Sequence, residues 1–237
     1  MEQEEMMMKT GRVVMISGAN RGIGAALSAR LQAQGWYVSA GVRNPDALKF
    51  EAPHLVCPFD ASRPGAEQAW VEKTHAHYGR IDAVIANAGI MTQGSFLDVA
   101  DEALEQMFQI NVLSPVRLVR AAWPHLIAGS AGRVVIVSSL SGKRVKSAQS
   151  SAYAMTKHAA VALSHGIKRA GWEHGVRSTV VCPGFVATDM ARSITSRDEN
   201  SMTQAADIAT LVSTVLDLPN TANLAELCIS CQEEDLY

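Results

Sequence analysis

A tyrosine and a lysine four residues apart, Tyr153 and Lys157, are the residues of this sequence best suited to acid–base chemistry. On a helix this spacing puts both side chains on one face, one turn apart. The surrounding stretch, 151–174, is rich in Ala, Met, Leu and Lys, which favour a helix. A free phenol titrates near about pH 10, and a neighbouring ammonium favours the phenolate and lowers that pKa. The pair is therefore a candidate proton donor and acceptor, although an exposed pair on a helix shows the same pattern.

A glycine-rich stretch lies between an apolar run of strand length, 12–17, and a helix-prone segment, 25–34. Glycines permit a tight turn and let backbone N–H groups approach a pyrophosphate at the N-terminus of the helix. Strand, loop and helix together predict the phosphate-binding opening of a Rossmann unit, with the spacing G-x-x-x-G-x-G rather than G-x-G-x-x-G. The loop consists of Gly18, Ala19, Asn20, Arg21, Gly22, Ile23 and Gly24.

The end of the second predicted strand, 36–42, indicates which dinucleotide fits. A site that takes NAD usually has Asp or Glu here, which bonds the ribose 2′-hydroxyl. This chain has Arg43 and Asn44 instead, so no carboxylate repels a 2′-phosphate. The planar guanidinium of Arg43 can clamp such a phosphate, with Arg21 as a second cation. The sequence therefore favours NADP(H) over NAD(H); the alternative is that both arginines are solvated surface residues.

Predicted strands and helices alternate along the whole chain, which is typical of an α/β fold with a parallel sheet. We predict a single Rossmann-like, doubly wound domain at 11–237, with about seven parallel strands and helices on both faces. A disordered, acidic N-terminal tail is expected at 1–10. The predicted strands are 12–17, 36–42, 54–58, 81–86, 133–137, 177–182 and 225–230; the predicted helices are 25–34, 64–78, one capped by Asp98 that runs past Asn111, 114–128, 151–174 and 204–216.

Composition narrows the function classes. The chain has 237 residues, of which 48% are hydrophobic and 19% charged, and a net charge of −2, as in an ordinary globular protein. This balance gives no indication of nucleic acid or an anionic membrane as a partner. No apolar run approaches the roughly 20 residues of a membrane span, and no apolar signal core follows the acidic start. We therefore expect a cytoplasmic protein.

Four cysteines in a chain of this length do not indicate a disulfide framework. Cys228 and Cys231 have C-x-x-C spacing, so a redox or metal role is an alternative. Their segment is predicted to be a strand, where residues three apart point to opposite faces, and no second ligand pair is visible. We expect buried structural cysteines and no metal site.

Taken in order, the motifs of this chain resemble those of the short-chain dehydrogenase/reductase family over about residues 11 to 231. Ser17 stands where the family usually has threonine, and the hydroxyl is kept. Ser139 rather than Ser138 fits the family's Ser-x-x-Gly pattern, with Gly142. The shared motifs are the glycine loop, Asp60, Asn87-Ala88-Gly89, Asn111, Ser139, Tyr153 with Lys157, and Pro183-Gly184-x-Val186-x-Thr188.

The resemblance implies an oxidoreductase that transfers hydride between a nicotinamide and a carbonyl or secondary alcohol. It implies that Tyr153 exchanges the proton, that Lys157 lowers the tyrosine pKa and bonds the nicotinamide ribose, that Ser139 bonds the substrate oxygen, and that Asn111 holds a relay water. Each role has a structural alternative, such as a strand cap for Ser139 or a helix backbone contact for Asn111. Expected cofactor contacts are Gly18, Asn20, Arg21, Gly22, Ile23, Gly24, Arg43, Asp60, Asn87, Ala88, Gly89, Tyr153, Lys157, Pro183, Gly184, Val186 and Thr188.

Substrate and partners are less constrained by the sequence. A small carbonyl or alcohol is expected to contact 91–93, 140–151, Phe185 and 189–202. The basic loop 143–146 fits an anionic substrate or, more simply, a solvated surface. The resemblance implies a homodimer or homotetramer through helices that include the Tyr153 helix, whose exposed apolar side is expected to carry Ala159, Ala160 and Leu163. Rival functions are a non-catalytic NADP-sensing regulator and an isomerase or dehydratase that keeps its cofactor bound.

Overall fold

Seven parallel strands form one sheet in the computed structural model, which describes residues 11–234; the predicted tail at 1–10 lies outside the described residues. The strand order is β3-β2-β1-β4-β5-β6-β7, and every neighbouring pair is parallel. This confirms the predicted α/β fold. The strands are β1 (Val13–Ser17), β2 (Tyr37–Val42), β3 (Leu55–Pro58), β4 (Ala83–Ala86), β5 (Arg133–Val137), β6 (Arg177–Pro183) and β7 (Glu226–Ile229).

Helices connect the strands and cover both faces of the sheet. Within residues 11–234, none of them is both long and apolar enough to cross a lipid bilayer. The α-helices are α1 (Gly22–Ala33), α2 (Ala66–Tyr78), α3 (Asp101–Phe108), α4 (Ser114–Ala128), α5 (Ser151–Gly171), α6 (Asp189–Arg192) and α7 (Ala205–Asp217); short 3-10 turns are Pro45–Ala47, Leu140–Gly142, Ala148–Ser150, Trp172–His174 and Glu199–Ser201.

Two apolar cores lie on opposite faces of the sheet, because successive side chains of a strand point to opposite sides. On one face Met15 of β1 belongs to the same cluster as Trp70 of α2 and residues of α4 and α5. On the other face Val14 belongs to the same cluster as Leu27 of α1 and Val212 of α7. A sheet buried on both faces needs apolar runs rather than alternation, which is what the sequence of β1 has.

The strand order reverses at β1, whose neighbours are β2 on one side and β4 on the other. In a doubly wound sheet the loops diverge at such a point and leave a crevice outside the carboxyl ends of the strands. The segments that follow β1, β4, β5 and β6 therefore surround one cleft, and these segments carry most of the predicted site residues.

The helix predicted to begin at Asp98 begins at Asp101 instead, with Ala100 as its N-cap. The Ser95 hydroxyl donates to the Asp98 carboxylate at 2.5 Å, and the backbone N–H of Asp98 donates to the Ser95 carbonyl. Asp98 therefore closes a turn before the helix, a role for which aspartate is as well suited as for capping. Beyond Phe108 the chain forms a π-helical turn, Gln109–Leu113, rather than continuing as an α-helix.

The C-x-x-C cysteines are less buried than predicted. β7 lies at the edge of the sheet, and its Cys228 is exposed; Cys231 follows the strand and is half-buried. Only Cys57 and Cys182 are buried. The prediction of buried cysteines is wrong for Cys228 because an edge strand has a neighbour on one side only, here β6.

Candidate active site

The glycine loop after β1 adopts backbone conformations that side chains would obstruct. Gly18 and Gly22 have φ angles of 67° and 53°, in the left-handed region that favours glycine. At Gly24, in the first turn of α1, a Cβ would overlap the Gly18 carbonyl oxygen and lie 2.7 Å from Nδ2 of Asn87. The loop is therefore a backbone cradle at a helix N-terminus, the arrangement that binds phosphates. At its tip Asn20 and Arg21 are exposed, and Ile23 is half-buried.

Ser17, the last residue of β1, joins the glycine loop to the segment after β4. Its Oγ accepts hydrogen bonds from the backbone N–H groups of Asn87 and Ala88, both at 3.0 Å. In return, Nδ2 of Asn87 donates to the carbonyls of Ser17 at 2.9 Å and Gly18 at 3.2 Å. These bonds hold Asn87, Ala88 and Gly89 beside the cradle, where the sequence predicted cofactor contacts.

Tyr153 and Lys157 occupy one face of α5 and are nearly buried, with exposures of 6% and 5%. Nζ of Lys157 lies 5.5 Å from the centroid of the Tyr153 ring. The same Nζ donates to the carbonyl of Val137, the last residue of β5, at 3.0 Å. The ammonium is therefore held between the end of β5 and the phenol, which excludes the alternative of an exposed pair on a helix surface.

Burial sets the protonation of both groups. It raises the pKa of Tyr153 above the ordinary value of a phenol, and a hydrogen bond with the Ser139 side chain offsets part of that rise. Burial also lowers the pKa of Lys157 to about 8. The pKa of Tyr153 is therefore raised, rather than lowered as the sequence predicted, because loss of water around the phenol disfavours the phenolate. At neutral pH Tyr153 is a neutral hydroxyl able to donate its proton.

The two serines after β5 have separate tasks. The Ser138 hydroxyl donates to the backbone carbonyl of Lys157 at 2.9 Å, so it anchors α5 to the strand. The Ser139 hydroxyl donates to the Pro183 carbonyl at 3.3 Å, accepts from the N–H of Ser141 at 3.1 Å, and bonds with Tyr153. The structure therefore brings Ser139, and not Ser138, to the phenol.

Asn111 lies in the π-helical turn and is 3% exposed. Its Oδ1 accepts from the N–H of Ile90, and its Nδ2 donates to the Ile90 carbonyl, both at 2.9 Å. Nδ2 also donates to Oγ1 of Thr156 at 3.1 Å. The side chain thus fixes the segment after β4 against α5.

Thr156 is a site residue that sequence reasoning missed. Its hydroxyl accepts from Asn111 and donates to the Tyr153 carbonyl at 2.8 Å, so it connects the π-helical turn to the helix of the catalytic candidates. No sequence signal marks it, because a threonine within a helix commonly bonds its own backbone and nothing more.

The predicted adenosine end of the site lies at the ends of β2 and β3. Arg43 is exposed, and no hydrogen bond or ion pair joins it to another of the residues 11–234. The Asp60 carboxylate accepts from the N–H and the hydroxyl of Ser62, at 2.9 Å and 2.7 Å. These bonds lower the pKa of Asp60, and the charges of Arg63 and Arg43 lower it further. Arg43 is thus near Asp60, and none of the side chains described here is bonded to it.

The segment after β6 folds over the glycine loop. A Cβ on Gly22 would lie 3.1 Å from Cγ2 of Thr188, and Nη1 of Arg21 lies 3.3 Å from the Asp189 carboxylate. The Thr188 hydroxyl donates to the Val186 carbonyl at 3.1 Å, which shapes this turn. Earlier in the segment, Pro183 accepts from Ser139, and the N–H of Gly184 donates to the Ile229 carbonyl at 2.8 Å.

The loop predicted to be a solvated basic surface is ion-paired over half its length. Nζ of Lys143 lies 2.6 Å from the Glu226 carboxylate, and Arg144 pairs with Glu234, with both of these side chains nearly buried. Only the second half of the loop, which includes Lys146, is exposed. Among the residues that the structure describes, no group of three or more His, Cys, Asp or Glu side chains is placed to hold a metal ion.

Raising the pH from 8 to 10 is expected to stabilise the wild-type protein relative to a Lys157→Met variant. The folded-state pKa of Lys157, about 8, lies below its ordinary value of 10.5, so the unfolded chain binds more protons between these values. The free energy of unfolding therefore rises with pH in this window, by about 2 kcal/mol up to pH 10. Above pH 10 the raised pKa of Tyr153 acts in the opposite direction. Urea unfolding of both proteins at several pH values measures the difference, and parallel pH profiles would contradict it.

Comparisons with known proteins agree with this geometry. The family model described as short chain dehydrogenase matches residues 12–199. An agropine synthesis reductase of Rhizobium rhizogenes is 35% identical over 95% of this chain; this chain covers 54% of that protein, about half its length. An alcohol dehydrogenase from Thermococcus sibiricus, complexed with 5-hydroxy-NADP, is 25% identical, with a TM-score of 0.83 over 92% of this chain and 95% of its own. A Burkholderia cenocepacia short chain dehydrogenase in complex with NADP is 26% identical, with a TM-score of 0.83 over 94% and 98%.

Proposed function

The chain belongs to the short-chain dehydrogenase family of oxidoreductases, and we propose that it transfers hydride between NADP(H) and a carbonyl or secondary alcohol. One observation carries this proposal: a buried phenol, Tyr153, lies beside the Ser139 hydroxyl and the Lys157 ammonium at the carboxyl end of β5. A proton donor and a cation on α5 are thus gathered beside a hydroxyl at the end of β5 that can donate to a substrate oxygen. A purely structural helix contact has no need of all three.

The residues around the cleft fit a dinucleotide. The glycine loop has no room for a Cβ at Gly24, and no side chain caps the first turn of α1, so backbone N–H groups there remain open to phosphate oxygens. Asn87, Ala88 and Gly89 would flank the nicotinamide end, and Lys157 would bond its ribose. When bound, the cofactor supplies or accepts the hydride.

The protein's own task is to bind the substrate oxygen and to move a proton. In the direction of reduction, the Tyr153 hydroxyl donates its proton to the carbonyl oxygen, and the Ser139 hydroxyl turns from the Pro183 carbonyl to donate a hydrogen bond to that oxygen. The charge that this leaves on the phenol is stabilised by the Lys157 ammonium, which Val137 holds in place. In the direction of oxidation the same groups accept the proton of the alcohol.

The preference for NADP(H) rests on the two arginines at the adenosine end. Arg43 meets no partner side chain by hydrogen bond or ion pair within residues 11–234, and no carboxylate stands at the end of β2. Arg21 is paired with Asp189 by side chains that are both more than half exposed, so a 2′-phosphate can compete for it. The two solved relatives described above, from Thermococcus sibiricus and Burkholderia cenocepacia, are complexes with NADP or a derivative of it.

An Arg43→Asp variant is expected to lose about 100-fold in kcat/KM with NADPH and to keep its activity with NADH. The aspartate removes a charge-assisted bond to the 2′-phosphate and adds a repelling charge, each of which costs on the order of 10-fold. Nicotinamide absorbance during reduction of a panel of ketones, aldehydes and ketoacyl thioesters measures both cofactors. The matched control is Arg169→Asp, an exposed arginine on α5. Equal rates with NADPH and NADH in the wild type would contradict the assignment to Arg43.

We also propose a small-molecule carbonyl or alcohol as the substrate, a cytoplasmic location and a homodimer or homotetramer. For the assembly, the α5 surface differs from the sequence expectation. Ala160 is buried in the core and Leu163 packs against it, whereas Met155 is 42% exposed. The apolar side that α5 offers to a second copy is therefore nearer to Tyr153 than predicted.

A further inference from the structure

A half-buried aromatic ring stands next to the catalytic candidates. Phe185 follows Pro183 by two residues, and the Pro183 carbonyl accepts the Ser139 hydroxyl. Consecutive Cα atoms are 3.8 Å apart, so the Phe185 Cα lies at most about 7.6 Å from the Pro183 Cα. Phe185 therefore lies on the segment that bonds Ser139, at a distance that a small substrate held by Ser139 and Tyr153 can span.

Two cations from different segments approach the ring of Phe185. Nζ of Lys146 lies 5.6 Å from the ring centroid, and Cζ of Arg197 lies 5.9 Å from it. Lys146 comes from the segment that joins Ser139 to α5, whereas Arg197 comes from the segment after α6. Two like charges around one ring repel each other unless an anion lies between them.

The other cations nearby are neutralised within the protein. Lys143 pairs with Glu226 and Arg144 with Glu234, as described above. Neither Lys146 nor Arg197 takes part in an ion pair among the described residues 11–234. The carboxylate whose charge Lys146 does feel is that of Glu234, which already accepts the Arg144 guanidinium. Among residues 11–234, Lys146 and Arg197 are therefore two positive charges without a paired carboxylate.

A chain of hydrogen bonds holds Arg197 in this position. Its Nη2 donates to Oε1 of Gln232, and Nε2 of Gln232 donates to Glu234 at 3.0 Å. Glu234 is in turn bonded by Arg144, with side-chain exposures of 6% and 11%. The buried pair thus anchors the segment that positions Arg197, and the guanidinium keeps further N–H donors for a ligand.

We propose that Lys146 and Arg197 bind an anionic group, a carboxylate or a phosphate, on the far end of the substrate, with Phe185 packed against the atoms that join it to the carbonyl. The inference rests on the proposed reaction and adds the chemical class of its substrate. Ammonium and guanidinium groups are the usual partners of both oxyanions, so carboxylate and phosphate are distinguished by experiment.

Three ketones that differ only at the far end test the proposal: 4-acetylbenzoate, 4-acetylphenyl phosphate and methyl 4-acetylbenzoate. With NADPH, kcat/KM for one of the two anions is expected to exceed that for the neutral ester by about 10-fold or more. The anion that is favoured identifies the ligand class. The advantage is expected to shrink between 50 mM and 500 mM NaCl, because partly exposed charges are screened, while the ester is unaffected.

Substitutions at Lys146 and Arg197 test whether these two residues cause the preference for the anionic ketone. Lys146→Met and Arg197→Met are each expected to lower kcat/KM for the favoured anion by about 10-fold and to leave the ester within about 2-fold. The exposed Arg169 of α5 provides the matched control, as Arg169→Met. A loss that is equal for anion and ester would mean that the residues only support the loop, and it would overturn the proposal.

Binding of 4-acetylbenzoate and 4-acetylphenyl phosphate, measured by calorimetry with and without NADP+, separates this inference from the proposed function. If no ketone is reduced but an anion binds and the double variant loses that binding, the reaction is wrong and the anion site stands. If the ester is reduced as well as both anions, the reaction stands and the anion site is rejected. Anion binding that survives in the double variant rejects it too.

Discussion

Replacing Tyr153 with phenylalanine is expected to lower kcat by about 1000-fold and to leave NADPH binding within about 2-fold. Positioned proton transfer contributes on the order of 100- to 10,000-fold to rate, and no second phenol lies on this face of α5 to supply the proton. The ring itself is retained, so the burial of residue 153 and the position of Lys157 are preserved. Steady-state rates with the best ketone of the panel, together with NADPH fluorescence titration, measure the two quantities.

A second buried tyrosine provides the control for this change. Tyr78, at the end of α2, also has its pKa raised by burial, and its hydroxyl donates to the Pro53 carbonyl at 2.6 Å. Tyr78→Phe is expected to cost about 1 kcal/mol of stability through the lost hydrogen bond and to leave kcat unchanged. If Tyr153→Phe kept full function in cells, the protein would instead be a dinucleotide sensor that needs no turnover.

Local patterns in the sequence predict most of this fold because the residues that favour each strand, loop or helix are also the residues that its packing in the whole protein requires. The run that forms β1 is apolar at its first four positions and ends in Ser17, and the protein buries all five residues in a doubly covered sheet. The backbone of the glycine loop needs residues without a Cβ at Gly18 and Gly24, so the glycines in the sequence directly indicate this loop conformation. Tyr153 and Lys157 lie on one helix, where their spacing alone determines that they are neighbours.

The rest depends on partners distant in the chain. From the sequence, Lys143 and Arg144 are predicted to lie in a solvated basic loop. The prediction fails because Glu226 and Glu234, which neutralise them, are 83 and 90 residues away in the chain. The pKa of Tyr153 depends on how completely the fold excludes water, which the Tyr-x-x-x-Lys spacing does not show. Sequence therefore predicts which residues could do chemistry better than it predicts their charge states.

Adding one methyl group at Gly24 is expected to weaken NADPH binding by about 100-fold or more. Helix propensity alone favours Gly24→Ala by about 1 kcal/mol, since the residue lies in α1. The new Cβ, however, would overlap the Gly18 carbonyl oxygen, which is backbone and has no alternative rotamer. The loop must move, and with it the N–H groups that are proposed to hold the pyrophosphate. Fluorescence titration with NADPH measures the loss.

Gly166 is the matched position for this substitution, because it is a glycine of α5 around which an added Cβ would meet no heavy atom within 4 Å. Gly166→Ala is expected to gain up to about 1 kcal/mol of stability and to bind NADPH as the wild type does. The two substitutions thus add the same methyl group to two helices, and only Gly24→Ala is expected to weaken NADPH binding. If both variants bound NADPH equally well, the glycine loop would not be the phosphate cradle, and the cofactor proposal would have to be abandoned.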